Sequence, residues 1–222
     1  MTTFDSTWDE IYGAGEQLNL YPFSSIVTFL FRHRPRDKDR ADTKVLEIGC
    51  GAGNNLWFAA REGFDVTGLD ASPPALAFAR KRFEAEGLQG QFLQGDFTEL
   101  PFADNSFDII LERAAVSQAP KPAARQAVAE CARVLRPGGC MYAEIYSDRA
   151  TTRGTPIDGG LLVDTDGPYA GVGQIAFYSQ SEIRGLFDGL LDIEGLDHTE
   201  TISMVRKPYE VYASWAVTAR HG

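Results

Sequence analysis

Apolar residues along this chain fall into short runs separated by helical stretches, and the alternation is clearest between Lys44 and Gln94. Lys44-Val45-Leu46-Glu47-Ile48 is an apolar run of strand length that ends in Gly49-Cys50-Gly51-Ala52-Gly53. A helix over Asn54 to Arg61 follows, closed by Gly63 as a C-cap. Phe64 to Asp70 reads as a second strand, and Ser72-Pro73-Pro74 supplies an N-cap with proline in the first turn of a helix reaching Glu86, ended by Gly87. Gln91 to Gln94 makes a third strand that runs into Gly95-Asp96. Short apolar runs alternating with helices point to βαβ units and a parallel sheet.

The theme continues with a strand over Phe107 to Glu112, a helix over Ala123 to Leu135, a turn at Pro137-Gly138-Gly139 and a strand over Cys140 to Ile145. Residues 151–173 hold eight glycines and prolines, which predicts a long irregular insertion, a natural place for a lid over a binding site. Ser179-Gln180-Ser181-Glu182 carries a capping-box pattern for a helix to Phe187. Leu191 to Leu196 is a sixth strand, and Tyr209 to Thr218 a seventh that pairs antiparallel beside it. An N-terminal helix spans Pro22 to Phe31. The expected architecture is α/β: a doubly wound, seven-stranded sheet, mostly parallel with an antiparallel last strand, and helices on both faces. One domain over residues 1–222 divides into a helical cap segment (1–43), a ligand-binding core (44–145), the insertion (151–173) and a C-terminal helix with a strand pair (174–222).

Composition fits that picture. A length of 222 residues with 44% hydrophobic and 23% charged positions is ordinary for one globular domain. The formal net charge of −10, with a pI near 4.8, repels phosphate backbones and anionic lipid, so neither nucleic acid nor a membrane is expected as a partner. Cys50, Cys131 and Cys140 form an odd set without repeated spacing, which offers neither a disulfide framework nor a zinc site, and no metal is expected. Met1 to Asn19 carries Asp5, Asp9, Glu10 and Glu16 and lacks an apolar h-region, and no run approaches the ~20 residues of a membrane span, so a cytoplasmic location is the expectation. The basic stretch from Arg32 to Arg40 reads as a solvated linker.

Glycines 49, 51 and 53 sit where a strand must turn into a helix, and their missing side chains let a ligand approach backbone N–H groups at a helix N-terminus. Alone, such a triplet is equally a tight turn that merely packs. Asp70, however, ends the next strand 19 residues after Gly51, where an acid accepts hydrogen bonds from both hydroxyls of a ribose, and Asp96 ends the third strand in the same way. The dinucleotide fingerprint requires a glycine where this chain has Asn54. Glu47, still on the strand, would repel a pyrophosphate but hold a cationic amino group. The ligand so favoured has a ribose and an ammonium but no phosphate.

Val45-Leu46-Glu47-Ile48-Gly49-Cys50-Gly51-Ala52-Gly53, Leu69-Asp70-Ala71-Ser72, Gly95-Asp96-Phe97, Phe107-Asp108-Ile109-Ile110 and Leu135-Arg136-Pro137-Gly138-Gly139 resemble, in order, the motifs of the class I S-adenosylmethionine-dependent methyltransferases. The resemblance spans Lys44 to Ile145 and implies a Rossmann-like fold with S-adenosylmethionine as cofactor. It implies that Glu47, Gly49, Gly51 and Gly53, with Cys50 inside the loop, lie along the methionine part and the sugar. Asp70 would bind the ribose hydroxyls, Ala71 would lie beside the adenine, Asp96 would accept from the adenine amino group and Phe97 would flank the base. Arg113 falls where such enzymes contact the methionine carboxylate; an ion pair with Glu112 or Asp108 is the structural alternative. Tyr12 resembles part of an N-terminal segment that covers the cofactor. For Cys50 itself a small side chain fitting the turn is expected, not a nucleophile.

The reaction so implied is methyl transfer to an O, N or C nucleophile of a small-molecule acceptor, driven mainly by alignment in a closed site. The histidine frequent in the family after the fourth strand is absent, Ser117 and Gln118 standing there instead. His33, His198 and His221 read as surface residues. No catalytic residue is evident; Tyr146 and Asp148, just past the fifth strand, are candidates on the acceptor side, and Asp158, Asp164, Asp166 and Tyr169 of the insertion would face an acceptor if it closed. An NAD-dependent oxidoreductase on the same topology and a non-catalytic cofactor-binding protein are the alternatives, and a monomer and a homodimer are both open.

Overall fold

The structure, a computed structural model, describes residues 4–205 and 207–222; the first three residues of the cap segment lie outside them. In chain order the helices are α1 (Thr7–Gly13), α2 (Ser24–His33), α3 (Asn54–Arg61), α4 (Pro73–Ala85), α5 (Lys121–Val134) and α6 (Gln180–Phe187). The strands are β1 (Lys44–Ile48), β2 (Asp65–Asp70), β3 (Gln91–Gln94), β4 (Phe107–Arg113), β5 (Leu135–Tyr146), β6 (Thr155–Ile157), β7 (Leu161–Val163), β8 (Asp192–Ser203) and β9 (Glu210–Arg220). Seven of them form one sheet in the order β3-β2-β1-β4-β5-β9-β8. β1 to β5 are mutually parallel, and β9 runs antiparallel to both β5 and β8. This is the doubly wound, Rossmann-like sheet expected.

The apolar runs of β1 and β4 have no polar face because helices cover both sides. Leu46, Ile48 and Ile110 pack with α5 and α6 in one core, while Val45, Ile109 and Leu111 pack with α2, α3 and α4 in the other. All three cysteines are buried and free, as small core side chains. Among the described residues no helix is long and apolar enough to cross a membrane.

Several local expectations are corrected. The Ser72 side chain does not cap α4; its hydroxyl bonds Asp9 at 2.6 Å instead, tying α1 to the start of α4. Pro137 to Gly139 lies within β5, where the turn survives as a register break between the pairs Phe107–Leu135 and Ile109–Cys140. The insertion is not irregular: β6 and β7 form a hairpin, followed by a 3-10 turn at Gly167–Tyr169. Tyr169 pins it down, its buried ring against Tyr146 at 4.5 Å and its hydroxyl donating to the Ala213 carbonyl at 3.2 Å. β8 runs to Ser203 rather than stopping at Leu196. The capping box of α6 is present, Ser179 and Glu182 each accepting from the other's backbone N–H.

The basic stretch is not a free linker. Lys38 reaches the buried Asp108 at 3.0 Å and Arg40 reaches Glu62 at 2.7 Å, while Arg36 donates to the Phe31 carbonyl.

Candidate functional site

The strand order reverses between β1 and β4, and at their C-terminal ends open sheets of this kind form a crevice. Here the crevice is a cleft of about 1050 Å³ with its mouth included, lined by the ends of β1 to β5, by α1 and by the segment leading into α2.

The loop after β1 makes the floor. Gly49, Gly51 and Gly53 all adopt left-handed φ values, 61°, 50° and 72°. A Cβ on Gly49 would collide with the Ala115 methyl, and one on Gly51 with the Tyr12 hydroxyl, so backbone is all that fits there. Cys50 lines the cleft but its thiol is buried, and burial pushes its pKa well up, so it is no nucleophile.

Asp70 stands at the end of β2 with each carboxylate oxygen already engaged on one side. Oδ2 accepts the Gly51 N–H at 2.8 Å and Oδ1 the Ser72 N–H at 2.8 Å. Burial raises its pKa while those two bonds work against the shift. The bonds fix the plane of the carboxylate and leave its remaining lone pairs to the cleft, a fit for a pair of hydroxyls.

Glu47 is 2% exposed. Its Oε1 accepts from the Asn55 amide at 2.7 Å, and its Oε2 is buried with no partner among the described residues. Burial, the largest cause, pushes its pKa up to about 8, with the bond from Asn55 opposing. A buried acceptor left without a donor costs about 1–3 kcal/mol, and a cationic group in the cleft satisfies it. The Arg113 side chain offers the complementary charge. Its guanidinium lies over the Phe23 ring at 3.8 Å and 3.5 Å from Glu144, and its Nε has no partner among the described residues. Neither Glu112 nor Asp108 is its ion-pair partner, as the alternative had supposed.

Asp96 and Phe97 line the far end of the cleft beyond β3, with Asp96 accepting from the Thr98 backbone and hydroxyl at 2.8 and 2.7 Å. Ala71 and Tyr12 line it too; desolvation and the nearby Asp70 carboxylate push the Tyr12 hydroxyl far up, so that it is a neutral donor. Every one of the expected ligand residues except Gly53 therefore lines a single cleft; Gly53, one residue further, caps α3.

Tyr146 lines the cleft, and burial raises its pKa. Asp148 is exposed and outside it, its N–H bonded to the Tyr178 carbonyl at 3.1 Å. Ser117 is fully buried, its hydroxyl accepting from the Tyr146 N–H, so it clamps backbone. No histidine lines the cleft: His33 stacks on Phe29, His198 bonds Ser147 at 2.8 Å and His221 bonds the Leu135 carbonyl at 2.6 Å. The carboxylates Asp158, Asp164 and Asp166 of the insertion do not line it either.

Residues that the sequence did not single out complete the enclosure. Asn54 donates to the Tyr21 carbonyl at 2.9 Å and Asn55 accepts the Phe23 N–H at 3.1 Å, which folds residues 21–23 over the first turn of α3. Asp5 accepts the N–H of Thr7 and of Gln174, and those bonds hold its pKa below the ordinary value although burial opposes them. Gln174 in turn donates to the Gln118 carbonyl at 2.7 Å. A pair of asparagines directly after a glycine loop was the one available signal for the first of these contacts.

The profile of the methyltransferase domain family matches residues 45–139, from β1 through the turn inside β5. Through that segment the chain is similar to methyltransferase domains. Over 135 residues it is 36% identical to a fatty-acid O-methyltransferase of Mycolicibacterium smegmatis, a match covering 60% of this chain and 45% of that protein. Like the other curated relatives it matches, that methyltransferase is aligned over less than half of its own length. Among solved structures, the 1,6-didemethyltoxoflavin-N1-methyltransferase of Burkholderia thailandensis, crystallised with 1,6-didemethyltoxoflavin and S-adenosylhomocysteine, shares the fold at a TM-score of 0.70 and 17% identity, over 97% of this chain and 86% of that one. The [4+2]-cyclase SpnF shares it at 0.71 and 18%, over 99% and 98%. The methyltransferase fold thus extends to a protein named for a different reaction, and function has to be argued from the cleft.

Proposed function

We propose that the chain binds S-adenosylmethionine in this cleft and transfers its methyl group to a small-molecule acceptor. The observation that carries the proposal is the pairing of Asp70, oriented by two backbone N–H groups, with the partnerless buried oxygen of Glu47 across a floor where no side chain fits. A ribose suits the first and an ammonium the second.

When bound, the cofactor supplies a methyl group on a cationic sulfur, which an electron-rich atom displaces in line. The chain's own part is to hold and to exclude. Asp70 orients the sugar, Glu47 faces the amino group and Arg113 the carboxylate of the methionine part. Asp96 and Phe97 frame the base. Tyr12 and residues 21–23 close the cleft over these groups and keep water out, so that acceptor and methyl group meet in a fixed geometry. Tyr146 stays protonated and serves as a hydrogen-bond donor on the acceptor side. With no histidine on the cleft wall, alignment carries the larger share of the rate.

Residues 21–23 also argue against a dinucleotide. They cover the first turn of α3, where a pyrophosphate would need the open helix N-terminus. The relative that methylates fatty acids supports an acceptor of small-molecule size, without defining which one.

Isothermal calorimetry tests the binding step: S-adenosylmethionine and S-adenosylhomocysteine are expected to bind at one site and NAD not at all. Binding of NAD alone would overturn the proposal. Transfer of a labelled methyl group to fatty acids or to a metabolite extract then tests turnover; cofactor binding without transfer to any acceptor would leave a cofactor-binding protein as the better reading.

A further inference from the structure

A second recess lies at the opposite end of the sheet from the cleft. Asp108 is the second residue of β4 and Arg136 the second of β5, while Arg220 ends the antiparallel β9, so the strand ends that gather here are those remote from the glycine loop. The recess is lined by Arg32, Arg34, Arg36, Arg136 and Arg220 against only Asp37 and Asp108, in a molecule whose net charge is −10. Two of the five guanidiniums are neutralised in place. Arg136 pairs with Asp108 at 2.5 Å, and Arg220 grips Glu194 through two nitrogens at 2.6 and 3.0 Å. The other three, Arg32, Arg34 and Arg36, make no ion pair among the described residues.

Cations in the last turn of α2 complement its dipole, which would account for Arg32 alone. It does not account for Arg34, which follows the helix and whose Nε is buried with no acceptor among the described residues. A guanidinium donor turned inward without a partner is unfavourable unless a ligand supplies the oxygen. With Asp37 counted, and with Asp108 shared between Arg136 and Lys38, the recess keeps an excess of at least two positive charges, suited to a multiply charged anion with several acceptor oxygens.

We propose that this recess is an anion site for a small, multiply charged phosphate, a phosphate monoester or pyrophosphate, held by Arg32, Arg34 and Arg36. The planar forks of these side chains suit phosphate oxygens, and the paired Arg136 and Arg220 form a fixed wall beside them. The site is separate from the methyl-transfer cleft: β4 alone puts about 20 Å of strand between the two ends of the sheet.

The test is a calorimetric titration of the full chain with inorganic pyrophosphate at near-physiological ionic strength, where diffuse attraction is screened beyond about 8 Å. One saturable site is expected, weakened about tenfold or more in Arg34→Gln and in Arg36→Gln. It is expected unchanged in Arg61→Gln, whose guanidinium lies near Glu86 elsewhere on the surface. Arg32→Gln, at a fully surface position, gives the same loss if Arg34→Gln fails to fold. S-adenosylmethionine titrations of the same variants read the cleft independently and are expected to match wild type. Absence of saturable heat, or wild-type affinity in all three recess variants, overturns the proposal. So does co-sedimentation with phosphatidic-acid vesicles by a chain that ignores free pyrophosphate, since the ligand is then a lipid surface.

Discussion

The Asn55 amide nitrogen lies 2.7 Å from the Glu47 carboxylate while its amide oxygen holds the Phe23 backbone at 3.1 Å. One buried side chain therefore joins the floor of the cleft to the segment that covers it. Asn55→Leu removes both bonds and leaves a buried carboxylate oxygen with nothing in exchange. The expected cost is about 2–3 kcal/mol of stability, read as a lowered urea midpoint at unchanged slope, together with weaker binding of S-adenosylmethionine.

The folded-state pKa of Glu47, about 8, lies above its ordinary value of 4.5. The folded chain therefore holds a proton that the unfolded chain releases, and stability is expected to fall as pH rises from about 4.5 to about 8. Glu112, also pushed up to about 8 by burial, adds to the same slope. Glu47→Gln is expected to flatten the dependence without abolishing it, measured as Tm between pH 5 and 9. An ammonium bound beside Glu47 favours its charged form, so wild-type affinity for S-adenosylmethionine should rise with pH toward 8, with proton release visible as buffer-dependent heat.

Asp70→Ala removes the acceptor for a pair of ribose hydroxyls and unties Gly51 and Ser72. Loss of charged hydrogen bonds predicts about 2 kcal/mol weaker cofactor binding. Calorimetry decides: unchanged affinity would remove Asp70 from the site.

Asp108, 2% exposed, accepts from Lys38, Arg136 and the Lys44 backbone. Asp108→Ala strands those donors and is expected to cost about 3 kcal/mol. Chemical denaturation measures it, and S-adenosylmethionine affinity should be preserved because the cleft lies at the other strand ends.

The parallel half of the sheet was legible because β1, β2 and β4 are buried on both faces and their apolar runs end at glycines or acids. The floor of the cleft was legible for the same reason, Glu47, the glycine loop and Asp70 all sitting within a few residues of a strand end. What escaped depends on partners distant in the chain. α1 has seven residues and buries none of them fully, so it has no periodic signature; Asp9 and Ser72 hold it from 63 residues apart. β6 and β7 are three residues each, and Leu162 is paired with Ile175 across the glycine-rich stretch that looked irregular. The bond from Gln174 to Asp5 spans 169 residues, beyond any local pattern. Arg113 lines the cleft, but its partner Glu144 lies on the neighbouring strand, and only the β4–β5 register, Arg113 opposite Glu144, brings them together.

The antiparallel β9 has β5 on one side and β8 on the other, although β8 precedes it in the chain. During synthesis β8 leaves the ribosome with no strand to join, and β5 keeps an open edge beside it until residues 210–220 appear. Until β9 is made, β5 and β8 therefore both stand unpaired along the edges it will join, and the charges along β8, from Asp192 and Glu194 to Asp197 and Glu200, guard that strand against pairing with a neighbouring nascent chain.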